Sequence, residues 1–192
     1  TIPRIATGTE TGNLVMRQTI RFPSSAGNTL EGILHVPDAG IPRAHALFAH
    51  CFTCTKNIKA AANIAEALCG EGIAVLRFDF TGLGNSEGDF ADTHFSSNVQ
   101  DLLDAAAFLK QEYEAPEILV GHSLGGTAVL SAAHGIESAV AVATIGSPAE
   151  AEHVLRLLDD DLETIENTGE AKVRLAGRPF NIRREFIEDV RS

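Results

Sequence analysis

Cysteine, basic residues and long apolar runs are all scarce in this chain. It has three cysteines in 192 residues. An odd, small number does not make a disulfide framework, and it fits a reducing, cytoplasmic setting. Lysine and arginine total 15 against 26 acidic residues, a net charge of −11. A nucleic-acid partner needs a basic face, and an anionic membrane surface attracts one, so both are excluded as expectations. No apolar run reaches transmembrane length. The first fifteen residues lack the apolar core of a secretory signal. Methionine occurs once, at Met16, just before the first strand-like segment. The expectation is a natural start there, with residues 1–16 an N-terminal extension.

What is present begins with Gly121-His122-Ser123-Leu124-Gly125. It follows the apolar run Ile118-Leu119-Val120 and precedes a small-residue helical stretch from Gly126 to His134. Strand, Gly-x-Ser-x-Gly, helix is the arrangement of a nucleophile elbow. The turn is so tight that its central residue takes a strained backbone angle. Glycines two positions before and two after remove β-carbons that would collide. The serine oxygen then stands above the sheet. The next N–H lies at a helix N-terminus, where developing negative charge is stabilised.

Arg17–Phe22 and Leu30–Val36 read as strands joined by turn residues Ser24 to Asn28. Ala44–Ala49 is a short strand. Asn57–Cys69 is a helix with Gly70 as its stop. Ile73–Phe80 is a strand buried on both faces. Ser97-Asn98-Val99-Gln100 matches a capping box and opens a helix through Glu112. Ser138–Ile145 is a sixth strand. Strands alternating with helices give an α/β class with a mostly parallel sheet covered on both faces. After Pro148 the character changes. A short helix at Glu152–Leu158, an acidic, solvated stretch (Asp159 to Glu166) and a hairpin around a Gly-Arg-Pro turn form a cap. The expected organisation is an extension over 1–16, a core over 17–148 and a helix-hairpin cap over 149–192.

This order of elements resembles the α/β-hydrolase fold. The resemblance rests also on Ala49-His50-Cys51-Phe52, similar to its His-Gly-x segment after the third strand. It rests too on Asp79-Phe80-Thr81-Gly82-Leu83-Gly84-Asn85-Ser86, similar to its Asp-x-Arg-Gly-x-Gly-x-Ser loop. Thr81 stands where arginine is common, and Cys51 where glycine is. More narrowly, His-Cys-Phe-Thr-Cys-Thr-Lys and Leu-Ala-Gly-Arg-Pro-Phe are similar to a bacterial subgroup in which the hydrolase domain is fused to an OsmC-like peroxidase domain. The resemblance implies a cofactor-independent serine hydrolase acting on small-molecule carboxylic esters through an acyl-enzyme on Ser123. The N–H groups of Leu124 and Phe52 would form the oxyanion hole. As main-chain donors they leave their side chains free to vary. Gly121, His122 and Gly125 complete the elbow. His50 and Asp79 are structural neighbours of the site, Asp79 holding backbone in its glycine-rich loop. A fused OsmC-like domain or a second copy are the implied partners.

The base has no candidate in the family's position, which follows the seventh and eighth strands. His134 ends the helix pointing away from the site. His153 lies on a cap helix beside Asp159 to Asp161. His122 and His50 bond locally, and His35, His45 and His94 are strand, loop and surface residues. The expectation is that the last strands are missing. Roughly 60 further residues would carry the acid and the histidine, and the sixth strand would be an open edge. A rival class comes from Cys51-Phe-Thr-Cys54, a Cys-x-x-Cys pair that could act as a redox dithiol. The blander expectation is two reduced thiols near the site. No further ligands at zinc spacing accompany them, so no metal is expected. A non-catalytic binding module on the same fold is the other alternative.

Overall fold

The computed structural model of the protein describes residues 15–38 and 40–192. The proposed extension lies outside them except for Val15 and Met16, which open the first strand. In chain order the core is β1 (Val15–Pro23), β2 (Thr29–Pro37), β3 (Ala44–Ala49), α1 (Lys59–Gly70), β4 (Ile73–Phe78), α2 (Phe95–Glu112), β5 (Ile118–His122), α3 (Leu124–Ala133) and β6 (Ala141–Ile145). The strands lie side by side as β1-β2-β4-β3-β5-β6. β2 pairs antiparallel with β1 and β4, and the remaining pairings are parallel.

Side-chain alternation explains the layers. On β3, Leu47 and Ala49 face a core shared with Leu102 and Leu109 of α2 and Ala128 and Val129 of α3. Ala46 and Phe48 point the other way, to Ala61 and Ala65 of α1. Each buried leucine or phenylalanine contributes about 1.5–3 kcal/mol over exposure. The continuous apolar runs of β3 and β4 therefore hold helices on both faces. β6 is one edge of the sheet, opposite β1, and all five of its residues are exposed.

Several boundaries moved for local reasons. α1 keeps Gly70, and the left-handed residue that ends it is Gly72, at φ 82°. α2 starts two residues before the expected capping box. Its cap is Ser97 Oγ accepting from His94 N at 2.8 Å, so Ser97 is the third residue of the first turn. β4 stops at Phe78 and β6 begins only at Ala141. His45 lies within β3 and is buried.

The cap comprises a 3-10 helix over Ala151–Leu157, α4 (Leu162–Thr168), β7 (Glu170–Leu175), β8 (Arg178–Arg183) and α5 (Arg184–Val190). The hairpin turn is Ala176-Gly177, with φ 49° and 79°, and Arg178 and Pro179 belong to the strand. Positive φ at both central residues matches the twist of a tight hairpin. The acidic stretch is not merely a solvated face: part of it is α4, with Ile165 buried and Glu166 bound to Arg191 at 2.8 Å. α5 buries Phe186, Ile187 and Val190 along one side. Its Asp189 accepts from the N–H and hydroxyl of Ser96, which fastens the cap to the start of α2.

Candidate active site

β3 and β5 are parallel neighbours, with Ala49 opposite Gly121. The loops that leave their C-terminal ends therefore emerge together, as binding loops do in open α/β sheets. At the end of β5 the chain reverses at Ser123, with φ 53° and ψ −128°. Ser123 and Ala176 are the non-glycine residues with positive φ among those described. That conformation is costly for a residue with a β-carbon and persists only where the surroundings impose it. Ser123 N donates to Ile145 O at 2.9 Å, and Gly126 N donates to Ser123 O at 2.8 Å.

The flanking glycines are steric necessities. A β-carbon on Gly121 would lie 2.4 Å from the Gly125 carbonyl. One on Gly125 would lie 2.3 Å from the His50 carbonyl and 2.6 Å from that of Ala49. Gly125 thus does more than relieve the elbow: it lets α3 touch the loop after β3.

That loop carries Phe52. Among the described residues the Phe52 N–H meets no acceptor, and Leu124, first in α3, presents one of the helix's unpaired donors. Phe52 and Leu124 line one cavity of about 10 Å³ with His50 and Gly125. Their side chains are not free to vary. Both belong to the cap's apolar cluster, with Leu155, Leu158, Phe186 and Ile187. The Phe52 ring stacks on Phe186 at 5.0 Å and leans on Phe90 at 5.5 Å. Arg178 of the cap donates to Thr53 O in the same loop.

Cys51 and Cys54 are joined in a disulfide around Phe52, where reduced thiols were expected. Cys69, the free cysteine, is buried in α1, and burial pushes its thiol up to about 11. Among the described residues no cluster of His, Cys, Asp or Glu could hold a metal ion. No helix among them is long and apolar enough to cross a membrane.

His50 and Asp79 sit beneath the loop, both fully buried. The His50 Nδ1–H donates to Cys51 O at 2.9 Å, and its Nε2 is unpartnered, 3.9 Å from Asp79 Oδ1. Burial holds this imidazole down to about 4, so it is neutral at pH 7. Asp79 binds backbone on two loops. It accepts from Asn85 N at 3.0 Å in its glycine-rich loop, as expected, and from Lys56 N at 2.6 Å. Lys56, for which the sequence gives no site signal, puts its ammonium 2.5 Å from Asp79 and 3.1 Å from Glu31 at 2% side-chain exposure. A lysine after a Cys-x-x-Cys loop gives no periodic signal that it is buried.

No histidine ring among the described residues bonds Ser123. His50 bonds its own loop, His35 accepts from Arg77, His94 stands at the start of α2, and His134 and His153 are exposed. His122 is half-buried with an unpartnered Nδ1. Leu155, Leu158 and Ile182 are consumed in the cap's own core.

The fold and the elbow together define an α/β hydrolase. The family described as serine aminopeptidase, S33, matches residues 40–165, and the chain belongs to that hydrolase family. It is 46% identical to the esterase domain of a Rhodothermus marinus protein, with a TM-score of 0.68 over 91% of this chain and 67% of that one. Mouse α/β-hydrolase domain-containing protein 10 superposes with a TM-score of 0.71 at 26% identity, over 91% of this chain and 69% of that one. The rat mitochondrial palmitoyl-protein thioesterase ABHD10 is 40% identical over 77 residues, which are 40% of this chain and 25% of that protein. The match thus spans about a quarter of the curated thioesterase.

Proposed function

We propose that this chain carries the acyl-transfer centre of a serine hydrolase that cleaves carboxylic esters. Ser123 Oγ attacks the carbonyl carbon, and the carbonyl electron pair moves onto oxygen. The N–H groups of Phe52 and Leu124 receive that oxyanion. Its collapse breaks the bond to the alcohol, which departs with the proton given up by Ser123, and leaves an acyl-serine that water hydrolyses to the acid and free Ser123. A serine hydroxyl needs a base as it attacks. The nucleophile and oxyanion donors are assigned to this chain, and none of its histidines is assigned as base. The same chemistry cleaves thioesters, the bond named in the mammalian relatives.

The observation that carries the reading is Ser123 at φ 53° between two glycines that no β-carbon could replace. Strain of that kind clusters at reactive centres, and in a strand–turn–helix setting it is the mark of a nucleophilic serine. The Cys51–Cys54 disulfide is the observation that favours a dithiol redox protein instead.

In the full-length protein, Ser123→Ala should lower hydrolysis of a short aryl ester by about 10⁴-fold or more. It should also abolish labelling by a fluorophosphonate, with the label on the 121–125 peptide in the unmodified protein. Turnover unchanged by Ser123→Ala refutes the proposal, and an unreactive Ser123 in the folded protein favours the binding module. A disulfide-reductase activity that survives Ser123→Ala and disappears with Cys51→Ser and Cys54→Ser favours the redox reading.

A further inference from the structure

We propose that Lys56 is a positioning residue for the oxyanion hole, clamping the Phe52 loop through a buried ionic network beneath it. This rests on the assignment of Ser123 as nucleophile and Phe52 N–H as donor.

A lysine ammonium is strongly hydrated and is rarely buried without partners. Here it has two carboxylates, Asp79 and Glu31. Each is fastened in turn: Asn85 donates to both, through its backbone N–H to Asp79 and its side-chain amide to Glu31 at 2.6 Å, and Arg21 donates to Glu31 at 2.9 and 3.1 Å. The network's charges are therefore compensated, and it can hold a fixed geometry.

What it holds is main chain. Both peptide groups of Lys56 are taken: its N–H donates to Asp79, and its carbonyl accepts from the buried Arg77. Asp79 thus binds Lys56 at side chain and backbone at once, with one carboxylate oxygen for each. Four residues earlier stands Phe52. Between them the chain has little freedom, because Cys51 is bonded to Cys54 and Cys54 N donates to Cys51 O at 3.0 Å. The other end of the loop rests on Gly125 of the elbow helix. The loop is therefore pinned at His50 by packing and at Lys56 by charge, with the Phe52 donor between the two pins.

A network that served stability alone could bind any backbone. This one joins β2, β4, the glycine-rich loop and the oxyanion loop at the last residue before the chain turns toward α1. Loosening it should shift the donor without removing it. A donor displaced by about 1 Å is poorly aimed at the oxyanion, and misplacements of that size cost about 100-fold. The ground-state ester, whose carbonyl oxygen bears little charge, should be affected far less.

The test is Lys56→Met in the full-length protein, which keeps length and removes charge. Three quantities are compared with the unmodified protein: kcat/KM for an aryl ester, Ki for a trifluoromethyl ketone that forms the serine adduct, and Ki for the matching ether, which forms none. We expect kcat/KM and affinity for the ketone to fall together by about 10- to 100-fold, with the ether within about threefold. A parallel loss in all three quantities indicates general damage and overturns the proposal, as does a folded variant with unchanged kcat/KM. Should Lys56→Met fail to fold, Glu31→Gln decides: it removes one carboxylate from the ammonium and should give the same pattern at smaller amplitude. Equal losses, or none, overturn the proposal there too. Failure of the unmodified protein to hydrolyse the ester removes the acyl-transfer reading and this clamp with it, whereas hydrolysis that Lys56 and Glu31 do not influence removes the clamp alone.

Discussion

Replacing Gly125 by alanine asks how tightly the elbow and the oxyanion loop are locked. The new β-carbon would lie 2.3 Å from the His50 carbonyl oxygen, 2.6 Å from that of Ala49 and 2.9 Å from the Ala49 carbonyl carbon. Ordinary contact begins near 3.4 Å, so the shortest approach is deficient by about 1.1 Å. All three of these obstacles are backbone, so no side chain can swing aside. Either α3 retreats from β3 or residues 49–51 lift. The first uncouples α3 from the core it shares with Leu47 and Ala49, and the second carries Phe52 away from Ser123. Overpacking usually costs 1–3 kcal/mol, and two rigid walls place this case near about 3 kcal/mol. In a domain of this size that is a fall in Tm of about 6–12 °C, read by thermal unfolding. A donor moved by about 1 Å should also reduce kcat about 100-fold. Gly70→Ala is the control, because beyond its chain neighbours and its own helix backbone no heavy atom lies within 4 Å of its β-carbon position and its φ is not in the left-handed region; it should be neutral or stabilising by up to about 1 kcal/mol. A folded Gly125→Ala variant with Tm within about 2 °C and kcat within about twofold of the unmodified protein refutes the locked-loop reasoning.

Two further outcomes are expected. Burial raises Asp101 from 3.8 to about 6, against the lowering effect of Thr81 N and Oγ1, which donate to it at 2.8 and 3.0 Å. The folded state therefore holds this proton more tightly than the unfolded state, so the ionised group destabilises the fold above pH 6 and ceases to do so below about pH 4. Asp101→Asn can accept from Thr81 N and donate to Thr81 Oγ1. Urea unfolding should show it more stable by about 1–3 kcal/mol at pH 8, with the advantage vanishing near pH 4; a gain independent of pH contradicts the assignment. Phe52→Ala keeps the N–H proposed as an oxyanion donor but removes a ring from the cap's core, a loss of about 3–5 kcal/mol. Limited proteolysis should then cut within 149–192 much faster, and an unchanged cleavage rate would mean that Phe52 is not the cap's anchor.

Much of the core was legible because its signals are local. An apolar run of five or six residues between Gly-rich turns favours a buried strand over a helix by its length, and Gly-x-Ser-x-Gly after such a run admits few conformations. The elbow, the strands and α1, α2 and α3 all follow from such signals, with boundaries shifted by a few residues. What escaped was decided by tertiary contact. Lys56 reads as a surface residue until Glu31 of β2 and Asp79, just past the end of β4, close on it. α5 carries Arg, Glu and Asp through most of its length, and its three buried residues acquire meaning only against Phe52 and α2. The Ala176-Gly177 turn was misplaced onto Gly-Arg-Pro because proline is a stronger turn signal than alanine. The right-handed twist of the hairpin favours two consecutive positive φ values, and alanine accepts one of them.

The double use of Phe52 and Leu124 ties these observations together. In the acyl-transfer reading each supplies one main-chain donor to the oxyanion, and each side chain is buried in the cluster that holds the cap. A substrate that displaces or settles the cap therefore acts directly on the residues that would stabilise its own transition state. From above, Phe186 and Arg178 fix the loop; from below, the Asp79–Lys56 pair does. Opposed restraints of this kind leave the loop one position rather than several, which is the requirement for preorganised donors. Sequence variation at residue 52 is then constrained by packing even though the chemistry asks only for an N–H. The cap's apolar residues are committed to this brace, so they do not by themselves define an acyl pocket. In the acyl-transfer reading, selectivity would arise where the brace, the elbow and the acyl group meet.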